Sequence, residues 1–259
     1  MGCHDDDPIH AKLLGGVGAL AGLCVLLALW EVASAHYGAL LLPSPRDAFV
    51  ALGNLVIAGE AVTAAWSTAI RALLGFLLAA LTGVALGLAA GLSRLTARLL
   101  DPLATVLLGV PPIAWVVLAI LWFQGGLLTA VFTVAATTVP ITFAAAQAGG
   151  RTVDAQLEEM TRAYRFGYWQ RLCWLYVPHL VAFVFPALIT AMGVAWKVTV
   201  MTELLALADG IGAEMAGTRA SLDTRGTLAW ITLVVTLLLV LEHGLLRPLQ
   251  RRIEPWRWM

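Results

Sequence analysis

The sequence predicts an all-α integral membrane protein: one transmembrane domain over residues 1–259, built from six spanning helices. Three observations carry that prediction. Hydrophobic residues make up 60% of the chain and charged residues only 12%, whereas a soluble domain carries about a quarter charged residues. Residues 102–150 contain no charged side chain, and one spanning helix needs roughly 20 apolar residues, so this stretch crosses twice. Most arginines fall in the short polar segments that separate the apolar runs.

The spans are expected at about residues 13–35, 67–92, 99–123, 127–148, 177–207 and 226–245. The N-terminal "MGCHDDDPIH" is acidic, where a secretory signal carries a positive n-region. "ASA" at Ala33–Ala35 resembles a cleavage site, but the run from Leu13 to Trp30 is as long as a span, so an uncleaved first span is expected. "QGG" at Gln124–Gly126 is the turn-like break in the long uncharged stretch and makes spans three and four a tight hairpin. Cys3, Cys24 and Cys173 have neither pairing nor metal spacing and read as small packing residues.

Orientation follows from the cationic residues. With the N-terminus cytoplasmic, the inside segments hold Lys12, Arg94, Arg98, Arg151, Arg162, Arg165, Arg171, Arg247, Arg251, Arg252 and Arg257. The outside segments hold Arg46, Arg71, Arg219 and Arg225, and Lys197 falls inside a span. Both termini are therefore expected on the cytoplasmic side of a cell (inner) membrane.

Small residues recur at every fourth position of span two: Gly75, Ala79, Gly83, Gly87 and Gly91. Such a stripe lets two helix backbones approach closely, either within the chain or between two copies. Pro111 and Pro112 remove two backbone donors in "GVPPIAW" and push Val110 out of helical geometry. Pro140 and Pro186 are expected to break spans four and five in the same way. Broken backbone at membrane depth is tolerated where protein or water satisfies the freed groups, which suits a transport path; purely structural kinks are the other reading. Lys197 either snorkels or pairs with another span, or it offers positive charge to an anionic substrate. Its six-residue separation from Glu203 places the two about 120° apart around a helix, so they are not same-face partners.

Reaction chemistry is absent. The chain has no HExxH, no GxSxG, no Cys/His cluster and no phosphate-cradling GxxxxGK[ST]. No catalytic residue, cofactor, metal or nucleic-acid partner is expected, and ATP hydrolysis is excluded for this chain alone. A self-contained secondary transporter would need coupling-ion ligands at the midplane, yet Glu31 and Glu203 sit near span ends.

Between spans four and five, residues 152–176 are too polar to insert. Leu157, Met160, Ala163, Tyr164 and Gly167 recur at helical spacing, with Glu158, Glu159, Arg162 and Arg165 on the other side. An amphipathic helix, a break near "RFG" and a second short helix "YWQRLCWLY" are expected. This elbow either presents a knob to a partner or lies on the lipid surface.

At this segment the chain resembles the binding-protein-dependent ABC importer permeases, whose cytoplasmic loop carries the motif EAA, three residues, Gly, nine residues, Ile-x-Leu-Pro. Glu159, Met160 and Thr161 stand at the EAA positions, and Leu175, Val177 and Pro178 at the Ile, Leu and Pro positions. Arg165 stands where the motif has glycine, with Gly167 two residues later, and the turn is expected to shift toward Gly167. "LLPSPRDAF" (41–49), "VPPIAWVVLAILWFQGG" (110–126) and "GVAWKVTVMTELLALADGIG" (193–212) resemble the nitrate/sulfonate/taurine-type subfamily in order.

The resemblance implies the six-helix type I importer fold and a permease without enzymatic activity. Its partners would be a second permease copy, two ABC ATPase subunits, a periplasmic or lipid-anchored substrate-binding protein, and membrane lipid. ATPase coupling is implied for Glu159, Met160, Thr161, Arg162, Tyr164, Arg165, Phe166, Gly167 and Trp169. Candidate pathway residues are Pro111, Pro112, Trp115, Trp196, Lys197 and Glu203. The implied cargo is a small anion such as nitrate, a sulfonate, taurine or bicarbonate, or a thiamine-precursor-like heterocycle.

Overall fold

Apolar helices and their turns account for the whole architecture, and the described residues contain no strand. The computed structural model describes residues 8–38, 40–152, 159–161, 163–246 and 248. The helices among the described residues are, in order, α1 (Pro8–Tyr37), α2 (Pro45–Ile57), α3 (Glu60–Leu92), α4 (Arg94–Gly109), α5 (Pro112–Phe123), α6 (Leu127–Arg151), α7 (Tyr168–Arg171), α8 (Val177–Ala206), α9 (Ile211–Ala220) and α10 (Thr224–Leu239). π-helical turns at Leu172–Tyr176 and Val240–Leu246 follow α7 and α10. Four helical stretches are individually long and apolar enough to cross a membrane: Glu60–Leu92, Leu127–Arg151, Trp169–Ala206 and Thr224–Glu242.

The third expected span is not one straight helix. α4 and α5 meet at a bend of 97°, with Val110 (φ −81°, ψ 122°) and Pro111 (φ −60°, ψ 142°) both extended. Tandem prolines cause this, because each forces its predecessor out of the helical region. Pro140 and Pro186, in contrast, do not break their helices, which continue through them. A lone proline removes one hydrogen bond and leaves its neighbours enough helix to carry the turn. The "QGG" hairpin forms as expected, with Gln124, Gly125 and Gly126 at φ 57°, 100° and 82° and Gln124 N donating to the Ile120 carbonyl at 2.8 Å.

Two short helices on the loop side opposite the elbow are additions to the expected six spans. α2 starts where Ser44 caps and Pro45 opens the first turn: Ser44 Oγ accepts from Asp47 N at 3.1 Å. α9 starts at Gly210 and covers residues read as a plain loop. Thr224 Oγ1 donates to the Leu40 carbonyl at 2.8 Å and Trp30 Nε1 to the Pro43 carbonyl at 3.0 Å, fastening the connections around α2. Beneath them, Ala61, Ala64, Ala72, Trp196, Ile211, Trp230 and Leu233 form one buried cluster that joins α3, α8, α9 and α10.

The stripe of small residues on α3 packs within the chain, against α6. A Cβ on Gly83 would lie 2.7 Å from the Val139 carbonyl oxygen, and one on Gly91 2.9 Å from Gly150 Cα. At the same seam Thr142 Oγ1 lies 3.0 Å from the Ala79 carbonyl. Close backbone approach supplies dispersion contacts that lipid cannot. The cysteine reading is corrected: Cys24 and Cys173 are free and exposed rather than packed, and Cys3 lies outside the described residues.

Gly83→Val forces α3 and α6 apart and is expected to cost about 1–3 kcal/mol, the usual range for overpacking. Gly53→Ala, at a position with open space for its Cβ, is expected to leave stability unchanged or slightly raised. Thermal unfolding of the detergent-solubilised protein checks both, and equal effects at the two positions would contradict the seam.

Candidate functional site

Two features at opposite ends of one helical rod define the candidate site. The rod runs from Trp169 through the π turn to Ala206, 38 residues, or roughly 57 Å at helical rise. At one end is the elbow; at the other, a buried cluster of charges.

The cluster centres on Glu203, which is 0% exposed. Its Oε1 accepts from Arg71 Nη1 at 2.8 Å. Its Oε2 accepts from the Gly212 amide at 3.1 Å and lies 2.8 Å from the Thr68 hydroxyl. That hydroxyl in turn accepts from Ile211 N at 3.0 Å. Arg71 reaches further, donating from Nη2 to Asp209 Oδ1 at 2.6 Å and from Nη1 to the Asp209 carbonyl at 2.8 Å. Gly210, at φ 103°, sits so close that a Cβ there would overlap the Glu203 carboxylate. The result clamps α3, the end of α8 and the start of α9 around one neutralised carboxylate. It holds no free nucleophile or base, and no group of three His, Cys, Asp or Glu among the described residues is arranged for a metal.

Arg71, counted with the outside segments, lies buried within α3, which begins at Glu60 rather than near Ser67. The signal available in the sequence was a lone cation in one apolar run and a lone carboxylate in another, because intramembrane charges pair. Asp209 and Thr68 carried no such signal.

At the elbow, Met160 and Thr161 precede a helix end of the Schellman type. Phe166 N donates to the Thr161 carbonyl at 2.9 Å and Tyr164 N to the Met160 carbonyl at 3.0 Å. Arg165 itself takes the left-handed position, φ 52°. The turn therefore does not shift to Gly167, and the structure corrects that expectation. The 6→1 hydrogen bond across Arg165 fixes the register and offsets a left-handed penalty of about 1–2 kcal/mol. Gly167 instead caps the second arm: its N–H is accepted by Gln170 Oε1 at 2.9 Å, and Arg171 Nε donates to the Phe166 carbonyl at 3.1 Å.

Glu159, Met160, Tyr164, Arg165, Gly167 and Trp169 are exposed, Thr161 is buried and Phe166 half-buried; Arg162 and residues 153–158 lie outside the described residues. Tyr164 and Trp169 leave 72% and 71% of their surface uncovered, beside Trp174 at 78%. Among the remaining sequence-predicted residues, Pro111 is exposed and Pro112 half-buried at the α4–α5 bend. Trp115 Nε1 and Trp196 Nε1 are buried without a hydrogen-bond partner among the described residues. Lys197 is exposed on α8, next in sequence to buried Trp196 and Val198. The structure does not gather these residues at one point: Glu203 belongs to the clamp, whereas the elbow residues lie at the far end of the rod.

The family model for the binding-protein-dependent transport system inner membrane component matches residues 83–255. The chain is 28% identical to the taurine transport system permease protein of Escherichia coli (strain K12), over 96% of this chain and 92% of that protein. It is 30% identical to the nitrate import permease protein of Synechococcus elongatus, over 73% of this chain and 72% of the relative. It is 29% identical to that organism's bicarbonate transport system permease protein, over 75% and 73%. The chain belongs to the family of binding-protein-dependent transport system inner membrane components. It is a multi-pass permease subunit of an ABC importer rather than an enzyme.

Removing one partner of the Arg71–Glu203 pair strands the other charge inside the protein, at an expected cost of about 3–5 kcal/mol. Glu203→Gln and Arg71→Met are each expected to lower the thermal midpoint sharply. The double variant Arg71→Met/Glu203→Gln should lose clearly less than the sum, measured in the same detergent, and additive losses would show that the pair is not coupled.

Proposed function

We propose that two copies of this chain line an import path for a small anion, as single-domain permeases with both termini on the cytoplasmic side. In this reading the elbow, residues 152–176, seats in an ATPase subunit below each copy. Residues 42–60 and 208–224 face the opposite side, where a periplasmic or lipid-anchored binding protein hands over the solute.

The exposed elbow carries the reading. Tyr164 and Trp169 are large aromatics left uncovered on a turn whose backbone is held by the Schellman hydrogen bonds. A rigid aromatic knob with no cover among the described residues has the character of an interface anchor. Its second arm runs without interruption into the rod, so displacement of the knob displaces α8 as a body, the kind of packed element that switches between arrangements rather than flexing. Glu159 is exposed on the first arm, in the position of a polar contact to the ATPase.

Lys197 supports both the second copy and the anion. Among the described residues it has no ion-pair or hydrogen-bond partner. An outward-facing cation within a span costs about 2.5–3.5 kcal/mol at the helix centre on insertion scales, unless a water-lined path formed with another subunit covers it. Trp196 and Trp115 add buried indole N–H groups, which only donate hydrogen bonds and therefore suit an anion's oxygens. Taurine, nitrate and bicarbonate, for which relatives are named, each carry an anionic oxygen group.

Glu159→Arg is expected to release the co-purified ATPase, or to leave ATP hydrolysis running without uptake; intact assembly together with normal uptake would contradict the role of Glu159. Lys197→Met is expected to cut anion uptake in proteoliposomes about tenfold while the complex still assembles, the effect of losing one charge-assisted contact of about 1.4 kcal/mol. Unchanged uptake would mean that Lys197 only snorkels.

A further inference from the structure

At the elbow end of the bundle, α3, α4 and α6 leave an open pocket of about 600 Å³ whose lining includes Gly91, Arg94, Arg98, Asp101, Gly150 and Arg151. Three guanidinium groups share it with a single carboxylate, and that carboxylate is already engaged. Asp101 accepts from the Gln147 amide and, at 3.1 Å, from Arg151 Nη2. Arg94 and Arg98 have neither an ion-pair partner nor a side-chain hydrogen bond among the described residues.

Their place in α4 makes this unusual. Arg94 is the first residue of the helix and Arg98 follows one turn later, with no acidic residue in the first turn. The positive end of a helix dipole favours negative charge, so two cations there are placed against it. An anion set between them reverses the sign of that interaction; Ser93 Oγ already accepts from the Thr96 amide, so the arginine side chains rather than the helix amides would hold it. Gly91 and Gly150, both in the lining, bring α3 and α6 nearly into backbone contact, so neither puts a side chain into the space. Arg151 is held at its edge by Asp101. Leu92, Leu95 and Leu99 are exposed beside these groups, which puts apolar side chains and free guanidinium groups at the same level, as at a bilayer headgroup boundary.

We propose that this pocket binds a phosphate-type anion, either the headgroup of an anionic phospholipid in the adjoining leaflet or free phosphate. Basic pockets between spanning helices recognise headgroups by the same charge chemistry. The site is separate from the path and from the elbow's aromatic knob, so it stands whether or not Lys197 meets substrate.

The test uses the full-length permease in its assembled complex, reconstituted in nanodiscs of phosphatidylcholine with phosphatidylglycerol. Native mass spectrometry counts the retained lipid, and calorimetry titrates inorganic phosphate into the complex in phosphatidylcholine alone. Enrichment of phosphatidylglycerol on the wild type, weakened about 25-fold in R94Q/R98Q at roughly fivefold per arginine, supports the lipid source. Phosphate binding lost in the same variant, without lipid enrichment, supports the site with a soluble anion as its occupant. Identical lipid retention and identical phosphate titration in wild type and variant would overturn the proposal. If the double variant assembles poorly, R98Q alone with an unchanged thermal midpoint gives the same comparison at about fivefold. None of these readouts depends on uptake, so a failure here leaves the transport reading intact.

Discussion

The fully buried carboxylate of Glu203 is the constraint around which the end of the bundle opposite the elbow is arranged. An unpaired charge at that depth would be prohibitive, so three elements converge to satisfy it: Arg71 and Thr68 from α3, and the Gly212 amide from α9. Because Arg71 also holds the Asp209 side chain and carbonyl, the loop between α8 and α9 cannot drift from α3 without exposing the pair. Gly210 follows from the same demand, since only a residue without a side chain fits against the carboxylate at φ 103°. The cluster of Trp196, Ile211 and Trp230 then packs around a geometry that the charges have already set.

The clamp gives the rod a fixed far end. From Trp169 to Ala206 the chain is helical throughout, and Pro186 does not interrupt it. The near end is the elbow, whose turn is tied by the hydrogen bonds across Arg165 and by the Gln170 cap. Between them, Gly149 of α6 lies close to Leu180 and Phe183 of α8, and the fully buried residues of α8 fall in its second half, from Ala191 to Glu203. In the proposed reading, a push on the elbow would reach the α8–α9 loop as movement of a helical body, which is what an importer driven from one side of the membrane and loaded from the other requires.

The parts legible in the sequence were those whose cause is local. Among the described residues, apolar length located four of the six expected spans and, as a bent pair, a fifth; Gln124–Gly126 marked the hairpin, and the tandem prolines marked extended backbone at Val110. The 97° angle that follows was not legible, because a bend's direction depends on what the second arm packs against. Arg71 and Glu203 lie 132 positions apart, so no spacing rule joins them, and the cationic tally absorbed Arg71 into a loop. The elbow turn erred in an instructive way. Residue chemistry favoured Gly167 for the left-handed position, but the hydrogen-bond register between Thr161 and Phe166 placed it at Arg165, where the family motif has glycine.

The central claim is that elbow and outer loop belong to one rigid body that ATP binding displaces. Pulsed electron resonance on the reconstituted complex tests it directly, with spin labels at Cys173 and Leu222, both exposed, in a chain whose other cysteines are replaced by serine, measured with and without ATP. The Cys173–Leu222 separation within one copy is expected to stay constant, whereas the Leu222–Leu222 separation between copies changes. A changing separation within the copy, with the distance between copies fixed, would contradict it.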